Sequence, residues 1–496
     1  MRYALIISLL VLLVLVGLLA DRKPDNALEL YPLASAVGWV EGQGRSLDTD
    51  LIGVGIRPTG VVQIGSSYVP RVSPPVMLHY GAVVRAYRSA IGRPLDGADI
   101  PRLSWWINFL GTAPWALLLF AALRRLATII GVTDDRKAIV AAWAAMAGSL
   151  AFGWLGVVSP WLPAASLAAW TVVLVLKNME NPKFTGLMLA GFLAGLAGAG
   201  HPSGWVWIVW GAFLMFVSAP SDPEKSRQTQ MLSAYVIGAA ISLVILFAGN
   251  FLFYGSPLPV QFIDTQPIIM PVPVFISVIW HDLIGWNGII WLSPLVIVGL
   301  YKISGFTPAL PGRQVTIFLL GLAALVLLVW GITEDVRLIS ENERIPTEFM
   351  VLPVELASGK ISMVQLGGTE GGFEEQRAYY ERLVARTDIF LWTGGRPVGL
   401  PVFLPVAVLL ALFGWCSLSL SRIQAFWNWT GVRFGGLIGL VMSQAPYGAI
   451  SDYYMYFGLI LDRNQVPVTG HVPVIEALLS VAVRLAELWP SDVVTF

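Results

Sequence analysis

Blocks of almost uninterrupted apolar residues recur along this chain, and they constrain its fold more than any other feature. Each block approaches or exceeds about 18 residues, the length at which a helix crosses the hydrocarbon core of a bilayer. They fall at residues 5–20, 105–123, 138–157, 161–176, 185–200, 203–218, 231–254, 287–301, 314–332, 398–420 and 430–446. Composition leaves no room for a soluble alternative. Of 496 residues, 56% are hydrophobic and 12% charged, against about 25% charged in a soluble domain. The mean hydropathy is +0.71. The expected fold class is therefore an all-α polytopic membrane protein with a bundle of about 11 transmembrane helices. Twenty tryptophans suit its interfacial margins. Thirty-one basic and 31 acidic residues cancel, so no global field attracts nucleic acid. Cys416 is the only cysteine, which excludes disulfides, cysteine zinc sites and iron–sulfur clusters.

The first block, Leu5 to Ala20, follows Arg2 and precedes Asp21-Arg22-Lys23. A cleaved signal peptide would look similar, but a retained first span is the expectation in a chain that is membrane-embedded throughout. Arg2, Arg124, Arg125, Arg136, Lys137, Lys177, Lys183, Lys225, Arg227, Lys302, Arg313 and Arg422 share one side if the spans alternate. The excess of Lys and Arg marks that side as cytoplasmic. The N-terminus is then inside, and the long polar segments 21–103 and 333–397 face outward, as does the shorter loop 255–283. Three regions follow: a core of residues 1–302 that includes the loop 21–103, a second membrane region 303–446, and a tail 447–496. Within the tail, 472–489 reads as an interfacial amphipathic helix. Glu374–Asp388 reads as a short amphipathic helix on the outer face, or as part of a solvated cap.

Four separated patterns bear on function. Asp25-Asn-Ala-Leu-Glu-Leu-Tyr-Pro-Leu-Ala-Ser-Ala-Val37 begins just outside the first span and leads towards Asp48-Thr-Asp50. Ser67-Tyr-Val-Pro-Arg-Val-Ser-Pro-Pro joins an aromatic, a cation and a proline pair. Ala190-Gly-Phe-Leu-Ala-Gly-Leu-Ala-Gly-Ala-Gly-His-Pro-Ser is a small-residue span ending in His201. Asn250-Phe-Leu-Phe-Tyr-Gly-Ser-Pro-Leu is followed by Gly285-Trp-Asn-Gly-Ile-Ile-Trp-Leu-Ser-Pro. In this order they resemble bacterial members of the GT-C glycosyltransferase superfamily. These are the family 39-like, polyprenyl-phosphate-sugar-dependent membrane enzymes, with relatives among protein O-mannosyltransferases and lipid A aminoarabinose transferases. The resemblance covers about residues 1–302, with an echo at Trp392-Thr-Gly-Gly-Arg396.

The resemblance implies a GT-C-like bundle with two large outward loops. It implies transfer of a sugar from a polyprenyl-phosphate carrier to a glycan, lipid or protein acceptor at the outer face of the bacterial cytoplasmic membrane. A weakly nucleophilic acceptor hydroxyl needs a general base as it attacks the anomeric carbon, and the departing phosphate needs a cationic or backbone clamp. Asp25 is the candidate base, with Glu29 one turn on and Asp50 behind it. Asp25 also reads as a helix N-cap. Arg57, Arg71 and Arg396 are candidate phosphate ligands, though a lone arginine at a membrane surface also snorkels to headgroups. His201 stands where the family often has arginine, and either holds an anion or fills a helix end. Some relatives bind a divalent ion, which leaves a divalent metal as the one cofactor to consider. The four histidines lack ligand spacing, so His281-Asp282 reads as structural and no metal ligand is assigned. Membrane lipids are partners in either case.

The chain also departs from the family. The outer turn Val157-Val-Ser-Pro-Trp-Leu-Pro163, where the family often has a carboxylate or histidine, carries no ionisable side chain. The rival expectation is thus a catalytically inactive GT-C-like scaffold, with 333–391 and the tail docking other membrane-complex proteins. A transporter is disfavoured because the spans lack mid-bilayer ionisable residues.

Overall fold

Apolar blocks become helices here because a helix satisfies its own backbone where water is absent. The computed structural model describes residues 2–20, 27–42, 61–64, 67–95, 99–149, 151, 154–156, 158–180, 183–199, 202–217, 225–260, 294–302, 326, 349–355, 360–365 and 404–420. These residues are mostly helical. Three helices are long and apolar enough to cross a membrane: Ile100–Ile129, the Trp161–Asn178 stretch and the Thr229–Tyr254 stretch. Shorter apolar helices at Tyr3–Leu19, Phe184–Ala197, Ser203–Met215 and Leu404–Cys416 accompany them. Their outward faces are bare hydrocarbon. Ile6, Ile7, Leu10 and Val14 are exposed on the first helix, as are Val236, Ile241, Val244 and Ile245 near the middle of the chain. A water-soluble bundle puts polar groups at such positions, so the chain is a membrane protein.

In chain order the elements are α1 (Arg2–Leu19), α2 (Ala27–Val40), a hairpin of β1 (Val61–Ile64) and β2 (Ser67–Pro70), and α3 (Pro74–Ile91). The bundle continues with α4 (Ile100–Ile129), α5 (Asp135–Ala147), α6 (Trp161–Glu180), α7 (Phe184–Ala197), α8 (Val206–Val217) and α9 (Lys225–Tyr254). After these come α10 (Pro294–Lys302), the antiparallel strands β3 (Phe349–Glu355) and β4 (Lys360–Gln365), and α11 (Leu404–Leu420). The spans expected at 314–332 and 430–446, the helices expected at 374–388 and 472–489, and the tail 447–496 lie outside the described residues, apart from the single helical residue 326.

Hydrogen bonds fix the directions of the helices. Ser166 Oγ donates to the Trp115 carbonyl at 2.7 Å, and the Trp170 indole donates to the Leu118 carbonyl at 3.0 Å. Positions on α4 and α6 thus rise together, so the two helices are parallel, with α5 returning between them. Arg124 meets Asp135 at 2.7 Å across the α4–α5 turn, at one end of the bundle. Arg125, Arg136, Lys137 and Lys177 belong to that same end, which is the basic end below. At the other end the Trp105 indole donates to the Gly17 carbonyl at 2.8 Å, tying α1 to α4.

Small side chains let the helices approach closely. Gly191 and Gly195 of α7 face Tyr235, Ala239 and Ser242 of α9, while Gly238 of α9 faces Met188 and Phe192 in return. A Cβ at Gly191 would run into the Tyr235 carbonyl. This is the small-residue packing that membrane helices use in place of a hydrophobic driving force. The glycines of α7 in the Gly-rich run thus have a packing role. Gly299 of α10 and Gly414 of α11 approach each other's backbones in the same way, Gly299 against Leu410 and Gly414 against Leu295. As the number rises on one helix it falls on the other, so α10 and α11 are antiparallel. Strict alternation of the expected spans makes 287–301 and 398–420 parallel, and the glycine contact overturns that. Arg422, expected on the basic side, lies outside the described residues. A single expected span between them, 314–332, would supply an odd number of crossings, whereas antiparallel neighbours need an even number.

The main core runs through α1 and α4–α11, with alanines such as Ala141, Ala142, Ala145, Ala165, Ala168 and Ala169 at its centre. A second, smaller core caps the end opposite the basic turns. It joins Leu33 and Val37 of α2, Val62 and Val69 of the hairpin, Met77, Tyr80 and Val84 of α3, Leu103 and Ile107 of α4, and Tyr254 and Val260.

Candidate functional site

The capping layer is where the described residues bring polar chemistry together. It is built from a segment that reads as merely polar in sequence. Ser73-Pro74-Pro75 starts α3, since proline at the first helical positions lacks an N–H that would have no partner there. Met77, Tyr80, Gly81 and Val84 then recur on one buried face, and Gly92, at φ 67°, ends the helix in the left-handed region. The Trp39 ring of α2 lies where a Cβ on Gly81 would be, which is why α2 and α3 pack so closely.

Arg71 lies in the short link between β2 and α3. It is partly buried, its Nε atom is enclosed, and the residue already interacts within the fold. Ser73 is buried beside it in sequence, and its Oγ is enclosed with no hydrogen-bond partner. The start of α3 offers no backbone donor to an anion. Pro74 and Pro75 have none, and the Val76 and Met77 N–H groups both donate to the Ser73 carbonyl, at 3.0 and 3.2 Å. An anion at this link would therefore meet side chains only.

The link is held from a distance. Tyr254, the last residue of α9, donates its hydroxyl to the Val72 carbonyl at 2.7 Å, across 182 positions of sequence. Phe253 packs edge-on against Trp39 of α2, with ring centroids 5.8 Å apart. Gly255, at φ 73°, turns the chain away immediately afterwards. Asn250, one turn earlier, donates Nδ2 to the Leu246 carbonyl at 2.9 Å, and its Oδ1 is buried without a partner. Parts of the first, second and fourth sequence patterns thus meet in one layer.

His79 fixes that layer to the bundle. Its Nε2 lies 2.9 Å from the Ile107 carbonyl, so that nitrogen donates. Burial holds its pKa below the usual 6.5, and the bond to Ile107 opposes that only in part. Asn108 Oδ1 accepts from the Val158 N–H at 2.8 Å, which anchors the turn between α5 and α6. That turn lacks ionisable groups, and its backbone carries the connection instead.

The charges of the layer are largely paired. Arg88 reaches Glu41 at 2.9 Å and also donates to the Val40 carbonyl at the C-terminus of α2, where the helix dipole favours a cation. Arg93 grips Asp99 with two bonds, 2.8 and 2.9 Å, and Asp99 is only 4% exposed. Tyr87 donates to the same carboxylate at 3.4 Å. Burial first, and then the charge of Asp99, hold the Tyr87 hydroxyl above its usual pKa, while Arg102 opposes them.

Of the residues singled out from sequence, Arg71 lies in this layer and Glu29 stands on the first turn of α2. Asp25, Asp50, Arg57, His201 and Arg396 lie outside the described residues, as does His281-Asp282. Among the described residues no three of His, Cys, Asp and Glu gather closely enough to hold a metal ion. Sequence reasoning does not single out Trp39, Asn108 or Tyr254. For Tyr254 a signal exists, an aromatic between an asparagine and a Gly-Ser-Pro turn at the end of a span. Comparisons of this chain with family models, with curated proteins and with solved structures found no match.

Proposed function

We propose that this protein is a membrane glycosyltransferase that takes a sugar from a polyprenyl-phosphate donor at the outer face of a bacterial cytoplasmic membrane. The observation that carries this reading is the meeting of separated sequence patterns in the capping layer. The link bearing Arg71 is bonded to the end of α9 through Tyr254 and Val72. An arginine among partly buried neighbours gives a phosphate a stronger electrostatic partner than one in open water. Asp25 would remove the proton from the acceptor hydroxyl as its oxygen bonds to the anomeric carbon and the bond to the phosphate breaks. Sidedness is supported by Arg124, Arg125, Arg136, Lys137 and Lys177 at the opposite end, the pattern of a cytoplasmic face.

The test is transfer from purified polyprenyl-phosphate sugars by the protein in detergent, with native mass spectrometry for bound lipid. The expected result is a bound polyprenyl phosphate and transfer that Asp25→Asn abolishes at unchanged protein level. Transfer unaffected by Asp25→Asn would remove that residue from the mechanism. No bound lipid together with a stoichiometric protein partner would favour a second reading, a scaffold subunit without activity. One observation supports that alternative: Arg88 and Arg93 are already committed to Glu41 and Asp99.

A further inference from the structure

The outer end of α9 is tied to the capping layer through Phe253 and Tyr254. Of the three helices long enough to span, α9 is the least enclosed, with 28% of its apolar stretch buried against 50% for α4 and 67% for α6. Its hold on the bundle is the small-residue seam with α7, centred on Gly191, Gly195 and Gly238, together with the bond from the Tyr235 hydroxyl to the Trp207 carbonyl of α8. Beyond that seam Gly249 faces open space, and Phe251 and Leu252 are exposed. Asn250 is buried on the other side of the helix, and Phe253 and Tyr254 carry the ring contact to Trp39 and the bond to Val72. The Val72 carbonyl lies between Arg71 and Ser73, so the bond fixes the link at its midpoint.

We infer that Tyr254 is a positioning residue: its hydroxyl holds the Arg71–Ser73 link in register, and through it α9 sets the geometry of the proposed phosphate-binding arginine. Loss of the hydroxyl removes that bond and leaves a partly buried carbonyl without its partner, which favours opening of the link. The ring contacts of Tyr254 and Phe253 are unaffected by that loss, so the packing of the capping layer is retained. The consequence for sugar transfer rests on the proposed function, whereas the positioning of the link does not.

Thiol labelling separates the two. Cys416 is the only cysteine of the chain and is buried, so an introduced thiol reports without interference. Ser73→Cys places a reporter in the buried link, and Ser166→Cys places one between α4 and α6. In full-length protein in detergent, adding Tyr254→Phe is expected to speed labelling at position 73 by about tenfold. Labelling at position 166 is expected to stay constant. Equal rates at position 73 with and without the hydroxyl would overturn the inference. Acceleration at both positions would overturn it as well, because the hydroxyl would then serve general stability. A protein that shows the local effect but no transfer activity would retain the positioning role and lose only the transferase reading.

Discussion

Arg93 meets Asp99 through both carboxylate oxygens, and the carboxylate is nearly withdrawn from solvent. Arg93→Ala therefore leaves a buried charge without its main partner, a loss of about 1–3 kcal/mol, whereas Arg85→Ala, at an exposed position on α3, is expected to change little. Thermal unfolding in detergent, followed by tryptophan fluorescence, checks the difference. His79 gives a pH dependence of defined sign. Its folded pKa lies below 6.5, so above 6.5 both folded and unfolded chains are neutral there and no cost arises. As pH falls below 6.5, the unfolded chain takes up a proton that the folded chain resists, and stability is lost. The melting temperature is expected to fall between pH 7 and 5, and His79→Gln should flatten that part of the profile. A lone histidine in a polar segment reads equally well as exposed, because the burial that shifts it comes from α4, far along the chain. Arg71, by contrast, stands out in the sequence itself, where it lies beside Pro74-Pro75.

At the scale of elements, α3 is legible in its local signals. Its proline start, its apolar positions at 77, 80, 81 and 84, and its glycine stop are all present in the sequence. The polar character of residues 21–103 as a whole hides them. The Gly-rich span is the reverse case. Its composition is evident, but its role depends on a partner, since Gly191 matters only because Tyr235 of α9 lies against it. Gly191→Leu should separate α7 from α9 at a cost of about 1–3 kcal/mol or more from overpacking. Gly249→Ala, where a Cβ meets nothing, is expected to be neutral. The fraction of monodisperse protein after a heat step, measured by size-exclusion chromatography, compares the two.

At the scale of the molecule, the capping layer and the basic turns lie at opposite ends of the bundle. An impermeant thiol reagent on intact spheroplasts is expected to label Arg85→Cys and to spare Arg136→Cys until the membrane is opened. Labelling of both from one side would overturn the proposed topology. Apolar block length by itself determined that this chain is a helical membrane protein, because lipid supplies no hydrogen bonds and leaves the backbone little choice. It also placed a helix in each of the seven positions from α1 through α9, the capping layer set aside, but it carried the span 138–157 ten residues past the end of α5 at Ala147. The relative direction of α10 and α11 was beyond it. Counting spans says how often the chain crosses, while direction is decided where Gly299 and Gly414 let two backbones touch. The site is divided in the same way. Residue types and order pointed to Arg71 and to the Asn250–Leu258 pattern, since charge and turn chemistry are local. That the two meet through Tyr254 and Val72 was decided only by tertiary structure, because a hydrogen bond across 182 residues leaves no trace in either segment alone.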